Sequence, residues 1–248
     1  MAGRFAGRIA VVTGGSAGIG QEISQRLSAE GADIAVADVD PADETKALVE
    51  ANGRRFFSAK VDVSGETQMN AFATEVRGAL GRVDIVVNNA GIVPFADIDN
   101  VTFEQWMQTF SVNVNGAFLT VKAFLEDVKT SNAGRVINIT SGSYWTSPEP
   151  FVAYIPTKGA LNGLTHVLAR NLGKYDVTVN AVAPGLVRTA TALRTAGEGF
   201  FDMAVQMQDL KRQQSPEDVA NTVAILASDD AAFITGQIIA VDGGLTRH

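Results

Sequence analysis

The stretch RIAVVTGGSAGIGQEISQRLSAEGADIAVAD, residues 8–38, decides how the whole chain reads. Its opening, Arg8 to Thr13, is rich in Val and Ile and nearly continuous in apolar residues, the signature of a strand covered on both faces. A glycine-rich turn, TGGSAGIG from Thr13 to Gly20, follows it. The pattern then becomes helical and closes at Gly31, after which DIAVAD, Asp33 to Asp38, reads as a second strand. Gly14, Gly18 and Gly20, with Ser16 and Ile19 between them, stand where a backbone can approach a phosphate at a helix N-terminus. Their spacing is GxxxGxG rather than the general GxGxxG fingerprint. Asp38 ends the second strand 18 residues beyond Gly20. A carboxylate there accepts hydrogen bonds from ribose hydroxyls and repels a 2′-phosphate. No Lys or Arg sits in the glycine turn, so the expected cofactor is NAD rather than NADP. A turn that merely needs glycines, followed by a solvated aspartate, is the plainer alternative; position between a first strand and a first helix weighs against it.

The same rhythm continues outward. RRFFSAKVDV, VDIVVNNAG, GRVINIT (Gly134 to Thr140), VTVNAVAP and QIIAVDGG read as five further strands. TFEQWMQTFSVNVNGAFLTVKAFLEDVK reads as one long amphipathic helix, and a second begins near YIPTK, Tyr154 to Lys158. SPEDVANTVAILAS opens with Ser215 as a cap, Pro216 at the first helical position and Asp218 three residues after the cap. Alternation along the full length predicts an α/β fold: a single Rossmann-type, doubly wound, seven-stranded parallel sheet with helices on both faces, forming one domain over 1–248. Only Thr189–Gln214 breaks the rhythm. It is long for such a connection and is expected to be a substrate lid, with a plain surface excursion equally open.

Composition narrows the function classes. The 248 residues are 46% hydrophobic and 19% charged, enough for a large core. A net charge of −7 without basic runs argues against nucleic-acid or anionic-membrane binding. The absence of cysteine excludes disulfides, thiol catalysis and Cys-ligated zinc. No signal-peptide core or membrane-length apolar run is evident, so a cytoplasmic location is expected. With two histidines, His166 on a helix and the terminal His248, no metal site is expected.

The ordered motifs resemble the short-chain dehydrogenase/reductase family over essentially the whole chain. They are TGGSAGIG, Asp62–Val63, NNAG at Asn88 to Gly91, Asn113 in SVNVNG, Ser141 after the fifth strand, Tyr154-x-x-x-Lys158, and NAVAPG with Thr189 beyond it. TFEQW, PGLVRTAT and the C-terminal ASDDAAFITGQIIAVDGGLTRH look most like NAD-dependent secondary-alcohol dehydrogenases of the 1-phenylethanol dehydrogenase type, with pyridoxal 4-dehydrogenase also similar. The resemblance implies a homotetramer. It implies that Asp62 and Val63 hold the adenine, that Asn88, Asn89, Ala90 and Gly91 flank the cofactor, and that Pro184, Gly185, Val187 and Thr189 lie along its nicotinamide end. Asn113, Ser141, Tyr154 and Lys158 are the implied catalytic set, the last two also touching cofactor. Thr157 stands where many members have Ser, and Pro156 lies in the first helical turn, where no intrahelical donor is lost.

These residues suit hydride transfer. An alcohol loses hydride from carbon to the cofactor and a proton from oxygen, which the protein must accept. Lys158 lies four residues after Tyr154, on the same helix face. A cation there is expected to lower the phenol's pKa. Ser141 would hold the substrate oxygen, with Ser143 as a competing candidate, and Asn113 would retain a proton-passing water. Singly, a Tyr and a Lys four apart, a Ser after a strand or an Asn in a helix usually means nothing; the coincidence with a dinucleotide turn reverses that. Pro94, Phe95, Tyr144, Trp145 and Phe151, with Val93 and Val187, would wall an apolar pocket, joined by Leu193, Phe200, Phe201 and Met203 of the lid; several could equally belong to the core. The expected activity joins NAD(H) to an aromatic or hydrophobic secondary alcohol or ketone. The alternatives are a 3-oxoacyl carrier-protein reductase, a pyridoxal or polyol dehydrogenase, and a non-catalytic cofactor-sensing protein on the same fold. Arg188 and Arg194 leave room for a polar or acidic substrate.

Overall fold

The computed structural model describes residues 3–247. Met1, Ala2 and His248, the ends of the expected domain, lie outside the described residues. β1 (Ile9–Thr13) leads into α1 (Gly18–Ala29), β2 (Asp33–Asp38) into α2 (Asp43–Ala51), and β3 (Phe56–Lys60) into α3 (Glu66–Ala79). After β4 (Ile85–Asn88) come α4 (Phe103–Phe110), α5 (Gly116–Ala123) and α6 (Leu125–Thr130). β5 (Arg135–Ile139) is followed by the short α7 (Ser143–Thr146) and by α8 (Tyr154–Leu172). β6 (Thr178–Pro184) precedes α9 (Ala190–Ala196), α10 (Glu198–Met207) and α11 (Pro216–Ala227), and β7 (Ile238–Val241) comes last.

The seven strands form one parallel sheet in the order β3-β2-β1-β4-β5-β6-β7. The order reverses between β1 and β4, which opens a crevice beyond their carboxyl ends, where ligands of such sheets bind. Alternate residues of β1 feed opposite cores. Ala10 and Val12 of β1 join Leu27, Val36 and Val223 on one face, and Ile9 and Val11 join Phe72, Phe124, Val136 and Leu172 on the other. Burial on both faces explains why the strands read as unbroken apolar runs.

The single helix expected over 102–129 is interrupted twice. Ser111–Asn115 winds as a π-helical turn between α4 and α5, and Phe124 (φ −104°, ψ 13°) separates α5 from α6. The cause of the first is tertiary: Asn113 is fixed by two hydrogen bonds to Ile92 in the loop after β4 and by one to Thr157 of α8, described below. At the second, the Phe124 ring is fully buried and meets Phe72 edge-on at 6.0 Å. The start of α11 is as expected: the Asp218 carboxylate accepts from the Ser215 backbone N–H at 2.9 Å and from its hydroxyl at 3.2 Å. Among the described residues, no helix is long and apolar enough to cross a membrane.

Candidate active site

At the end of β1 the glycine turn is tied down from three sides. The Gly14 N–H donates to the Ala37 carbonyl at 2.8 Å, and the Ser16 N–H donates to the Asp38 carboxylate at 2.9 Å. The Asn89 amide donates to the carbonyls of Thr13 (3.0 Å) and Gly14 (2.8 Å). The Thr13 hydroxyl accepts from the N–H groups of Asn89 and Ala90, both at 3.1 Å. Space forbids side chains here. A Cβ on Gly14 would lie 2.8 Å from the Ala90 Cα, and one on Gly20 only 2.1 Å from the Gly14 carbonyl oxygen. Gly14 also has φ +64°, where L-residues are strained.

The helix that follows is left open for an anion. Ala17 occupies the cap position of α1, with no side-chain acceptor and no acidic residue in the first turn. By contrast, α4 is closed by Thr102 and Gln105, whose side chains and backbone N–H groups pair reciprocally at 3.1 and 3.0 Å. An uncapped N-terminus beside a glycine-lined surface fits the pyrophosphate of a dinucleotide. Ile19 packs on the core beneath it, and the Thr189 Cγ2 approaches Gly18 closely enough to contact a Cβ built there at 3.4 Å.

A cleft of about 280 Å³ opens at the ends of β2 and β3, lined by Asp38, Val39, Asp40, Ser58 and Lys60 among others. Asp38 is half-buried; besides Ser16 it accepts from the Asp40 N–H at 3.1 Å. Lys60 was missed by the sequence reading, although parallel pairing of β2 with β3 sets it opposite Asp38. Of the other expected cofactor residues, Val63 is buried while Asp62 is exposed, its carboxylate accepting from the Ser64 N–H and hydroxyl at 2.9 and 2.7 Å. Asn88 is buried and donates to Asn138 at 2.8 Å. Pro184 accepts from the Gly142 N–H at 2.8 Å, Gly185 donates to Val241 at 3.0 Å, and Val187 is buried and bridged to Gln214.

The catalytic candidates converge beside this frame. Asn113, 1% exposed, accepts from the Ile92 N–H at 2.8 Å and donates to the Ile92 carbonyl at 3.0 Å and to the Thr157 hydroxyl at 3.1 Å. Gly91 sits against it, a Cβ there lying 3.2 Å from the Asn113 Oδ1. Thr157 in turn donates to the Tyr154 carbonyl at 2.6 Å. The Lys158 Nζ donates to the Ile139 carbonyl at the end of β5, 2.9 Å away, and lies 5.3 Å from the Tyr154 ring centre. The Ser141 hydroxyl stands close enough to Tyr154 to favour its anion and lies 2.8 Å from the Ser143 hydroxyl. Asn113, Ser141, Tyr154 and Lys158 are therefore assembled in one place.

The electrostatics differ from the sequence expectation. Burial pushes the Tyr154 phenol up to about 12, opposed by the Ser141 hydroxyl, and pushes Lys158 down to about 8. Desolvation disfavours both charged forms. Helical spacing could not reveal how deeply the pair is enclosed.

Aromatic rings lead away from Tyr154. Phe151 lies 5.9 Å from it and Phe95 4.7 Å from Phe151, between centroids. Tyr144 and Trp145 meet edge-on at 5.6 Å, and Tyr144 covers Gly159 of α8 so closely that a Cβ would lie 2.9 Å from its ring. Phe95 and Tyr144 remain 46% and 43% exposed, and Pro94, Trp145 and Phe151 are half-buried. In the 189–214 segment Leu193 and Phe200 are half-buried and Met203 exposed, whereas Phe201 is fully buried and belongs to the packing beneath. Arg188 is engaged by Glu198 at 2.6 Å and Gln213 at 2.8 Å, and Arg194 donates to Thr191 at 3.1 Å. His166 is exposed. Among the described residues, no three His, Cys, Asp or Glu come together as a metal-holding group.

The chain matches the family model described as enoyl-(acyl carrier protein) reductase over residues 14–246. It is 36% identical to the L-2,3-butanediol dehydrogenase of Corynebacterium glutamicum, with 96% of this chain and 98% of that protein aligned. It superimposes on a short-chain dehydrogenase from Mycobacterium paratuberculosis bound to NAD with a TM-score of 0.90, at 33% identity, covering 99% of this chain and 100% of the other. A blue fluorescent protein from a metagenomic library, in complex with NADPH, gives a TM-score of 0.91 at 35% identity, covering 98% and 100%.

Proposed function

The chain belongs to the short-chain dehydrogenase/reductase family of oxidoreductases, and we propose that it interconverts a secondary alcohol and a ketone with NAD(H), acting on an aromatic or hydrophobic substrate. One observation carries this reading. Tyr154 stands beside the Ser141 hydroxyl, with Lys158 on the same helix face, and Asn113 links this group to the loop that continues from the glycine turn's own anchor, Asn89.

A nicotinamide dinucleotide, when bound, supplies the acceptor of hydride in oxidation and its donor in reduction. Gly14, Ser16, Gly18, Ile19 and Gly20 would hold its phosphates, Asp38 its ribose, Asp62 and Val63 its adenine. Asn89, Ala90, Gly91, Pro184, Gly185, Val187 and Thr189 would line the remainder. In the oxidation direction, the substrate hydroxyl proton passes to the Tyr154 Oη, while Ser141 donates to the substrate oxygen and holds it there. Protonated Lys158 together with the positive charge of an oxidised nicotinamide would make the Tyr154 anion accessible, and Asn113 would keep the path by which that proton leaves. Reduction reverses each step.

The choice of NAD over NADP rests on charge. Asp38 and Asp40 set two carboxylates against the single ammonium of Lys60 in the cleft at the ends of β2 and β3, which disfavours a 2′-phosphate. The ring series Tyr154, Phe151, Phe95 supports an aromatic or hydrophobic substrate. In this reading 1–248 works as a single nucleotide-binding domain, with 189–214 as lid, in a cytoplasmic homotetramer. Phe103, Met107 and Phe118, 77%, 51% and 49% exposed on α4 and α5, would be covered by another subunit.

The test is a panel of aryl alcohols, aliphatic alcohols, polyols, pyridoxal and 3-oxoacyl thioesters, assayed with NAD(H) and NADP(H) by nicotinamide absorbance. Turnover of aryl alcohols with NAD is expected. No turnover of any alcohol or ketone would reject the reading, and a preference for acyl thioesters with NADPH would replace it.

A further inference from the structure

The Ser141 Oγ accepts from the Ser143 backbone N–H at 3.2 Å and lies 2.8 Å from the Ser143 Oγ. A hydroxyl has one proton and two lone pairs. The N–H occupies one lone pair, which leaves Ser141 one donor place and one acceptor place. Two neighbours compete for them: the Ser143 hydroxyl, 2.8 Å away, and the Tyr154 hydroxyl, close enough that Ser141 favours its anion.

Two arrangements fill both places on Ser141, and the phenolate admits one of them alone. With Tyr154 as a phenol, its O–H donates to Ser141 and Ser141 donates to Ser143. With Tyr154 as a phenolate, Ser141 must turn its proton toward Tyr154, and its vacated lone pair then needs a donor. The Ser143 hydroxyl is within reach to be that donor. No proton changes owner between the two serines; both O–H groups rotate.

We infer that Ser143 is a positioning residue for proton transfer at Tyr154: its hydroxyl reverses direction with the Ser141 hydroxyl, so that Ser141 can donate to Tyr154 or to the substrate oxygen without leaving a lone pair unmet. The backbone is arranged to hold it there. The Gly142 N–H is fixed to Pro184 at 2.8 Å, and Tyr144 and Trp145 donate back to Ser141 and Gly142 at 3.2 and 3.0 Å as α7 begins. This inference rests on the dehydrogenase reading.

The experiment compares wild type, Ser143→Ala and Ser143→Thr as full-length enzymes across a pH series, on the best alcohol of the panel. Loss of the hydrogen bond to Ser141, the serine that meets the phenolate, is expected to lower kcat of Ser143→Ala by about 3- to 10-fold, with KM within about twofold of wild type. The pH at which the oxidation rate half-rises should move up by about half to one unit. Ser143→Thr keeps the hydroxyl and should restore both. An unmoved pH profile in Ser143→Ala overturns the inference, whatever happens to kcat, and so does failure of Ser143→Thr to restore it. A wild-type enzyme inactive on every alcohol and ketone would instead reject the dehydrogenase reading, and the inference would fall with it.

Discussion

The Lys158 ammonium lies 5.3 Å from the centre of the Tyr154 ring, one turn along the same helix, with one of its three protons donated to the Ile139 carbonyl 2.9 Å away. Lys158 is buried and Tyr154 half-buried, so the two are close enough to interact and have lost enough water to resist charging. The phenol stands near 12 and the amine near 8 in the protein alone. A positive charge added beside them would lower the phenol, because an opposite charge at short range favours the anion.

Tyr154→Phe removes the proton acceptor and leaves the ring stack with Phe151. Turnover of the alcohol should fall by about 100- to 10,000-fold, the usual worth of a positioned acid–base group. Dinucleotide affinity, measured by fluorescence titration, should stay within about threefold, since the glycine turn is untouched. A mutant with wild-type turnover would refute the assignment of Tyr154 as the base.

Lys158 gives folding stability a specific pH dependence. From about 8 to 10.5 the unfolded lysine keeps a proton that the folded one has released, so stability climbs with pH. Tyr154 acts the other way: its phenol ionises from 10.0 when unfolded and near 12 when folded, so stability falls across that window. In urea unfolding, wild type should gain about 1–2 kcal/mol over Lys158→Met between roughly pH 8 and 9.5. A difference that stays flat with pH would contradict the buried, easily neutralised lysine.

Asp38 has two duties, accepting the Ser16 N–H and lending negative charge to its cleft. Asp38→Ala should narrow the ratio of kcat/KM for NAD over NADP by about tenfold or more. It should also lower stability by about 1 kcal/mol, because the turn loses an acceptor. Paired kinetics with an unchanged ratio would dismiss the ribose contact.

Glycines can be sorted by the space around them. Gly20→Ala would drive a methyl to 2.1 Å from the Gly14 carbonyl oxygen, so loss of about 1–3 kcal/mol and of dinucleotide binding is expected. Gly163 lies within α8 with nothing within 4 Å of a built Cβ. Gly163→Ala should therefore stabilise by about 0.5–1 kcal/mol through helix propensity. Thermal melts of both would expose an error if the two substitutions behaved alike.

Much of the architecture was legible because its causes are local. β2 is bounded by the same residues in sequence and structure, since burial on both faces leaves an unbroken apolar run between polar ends. Ser215, Pro216 and Asp218 announced α11 for the same reason. The π-helical turn at Ser111–Asn115 was not legible: it is held by Asn113 bonding Ile92, 21 residues away, and Thr157, 44 away. Lys60 escaped notice because its importance comes from strand register, not from its own neighbours in sequence. The direction of the Tyr154 shift escaped because spacing reports proximity between charges and says nothing of the water they have lost.

The segment from 189 to 214 leaves and returns at one point. Val187 and Gln214 form a parallel bridge, Arg188 donates to the Gln214 carbonyl at 2.8 Å, and the Gln214 side-chain amide donates to Val241 at 2.6 Å. A loop closed at its own base can be exchanged like a cartridge: its length and composition can change while the entry and exit stay fixed to the sheet. In its proposed role as lid, the segment would let evolution, or an engineer, retune what the pocket admits without touching the groups that move the proton.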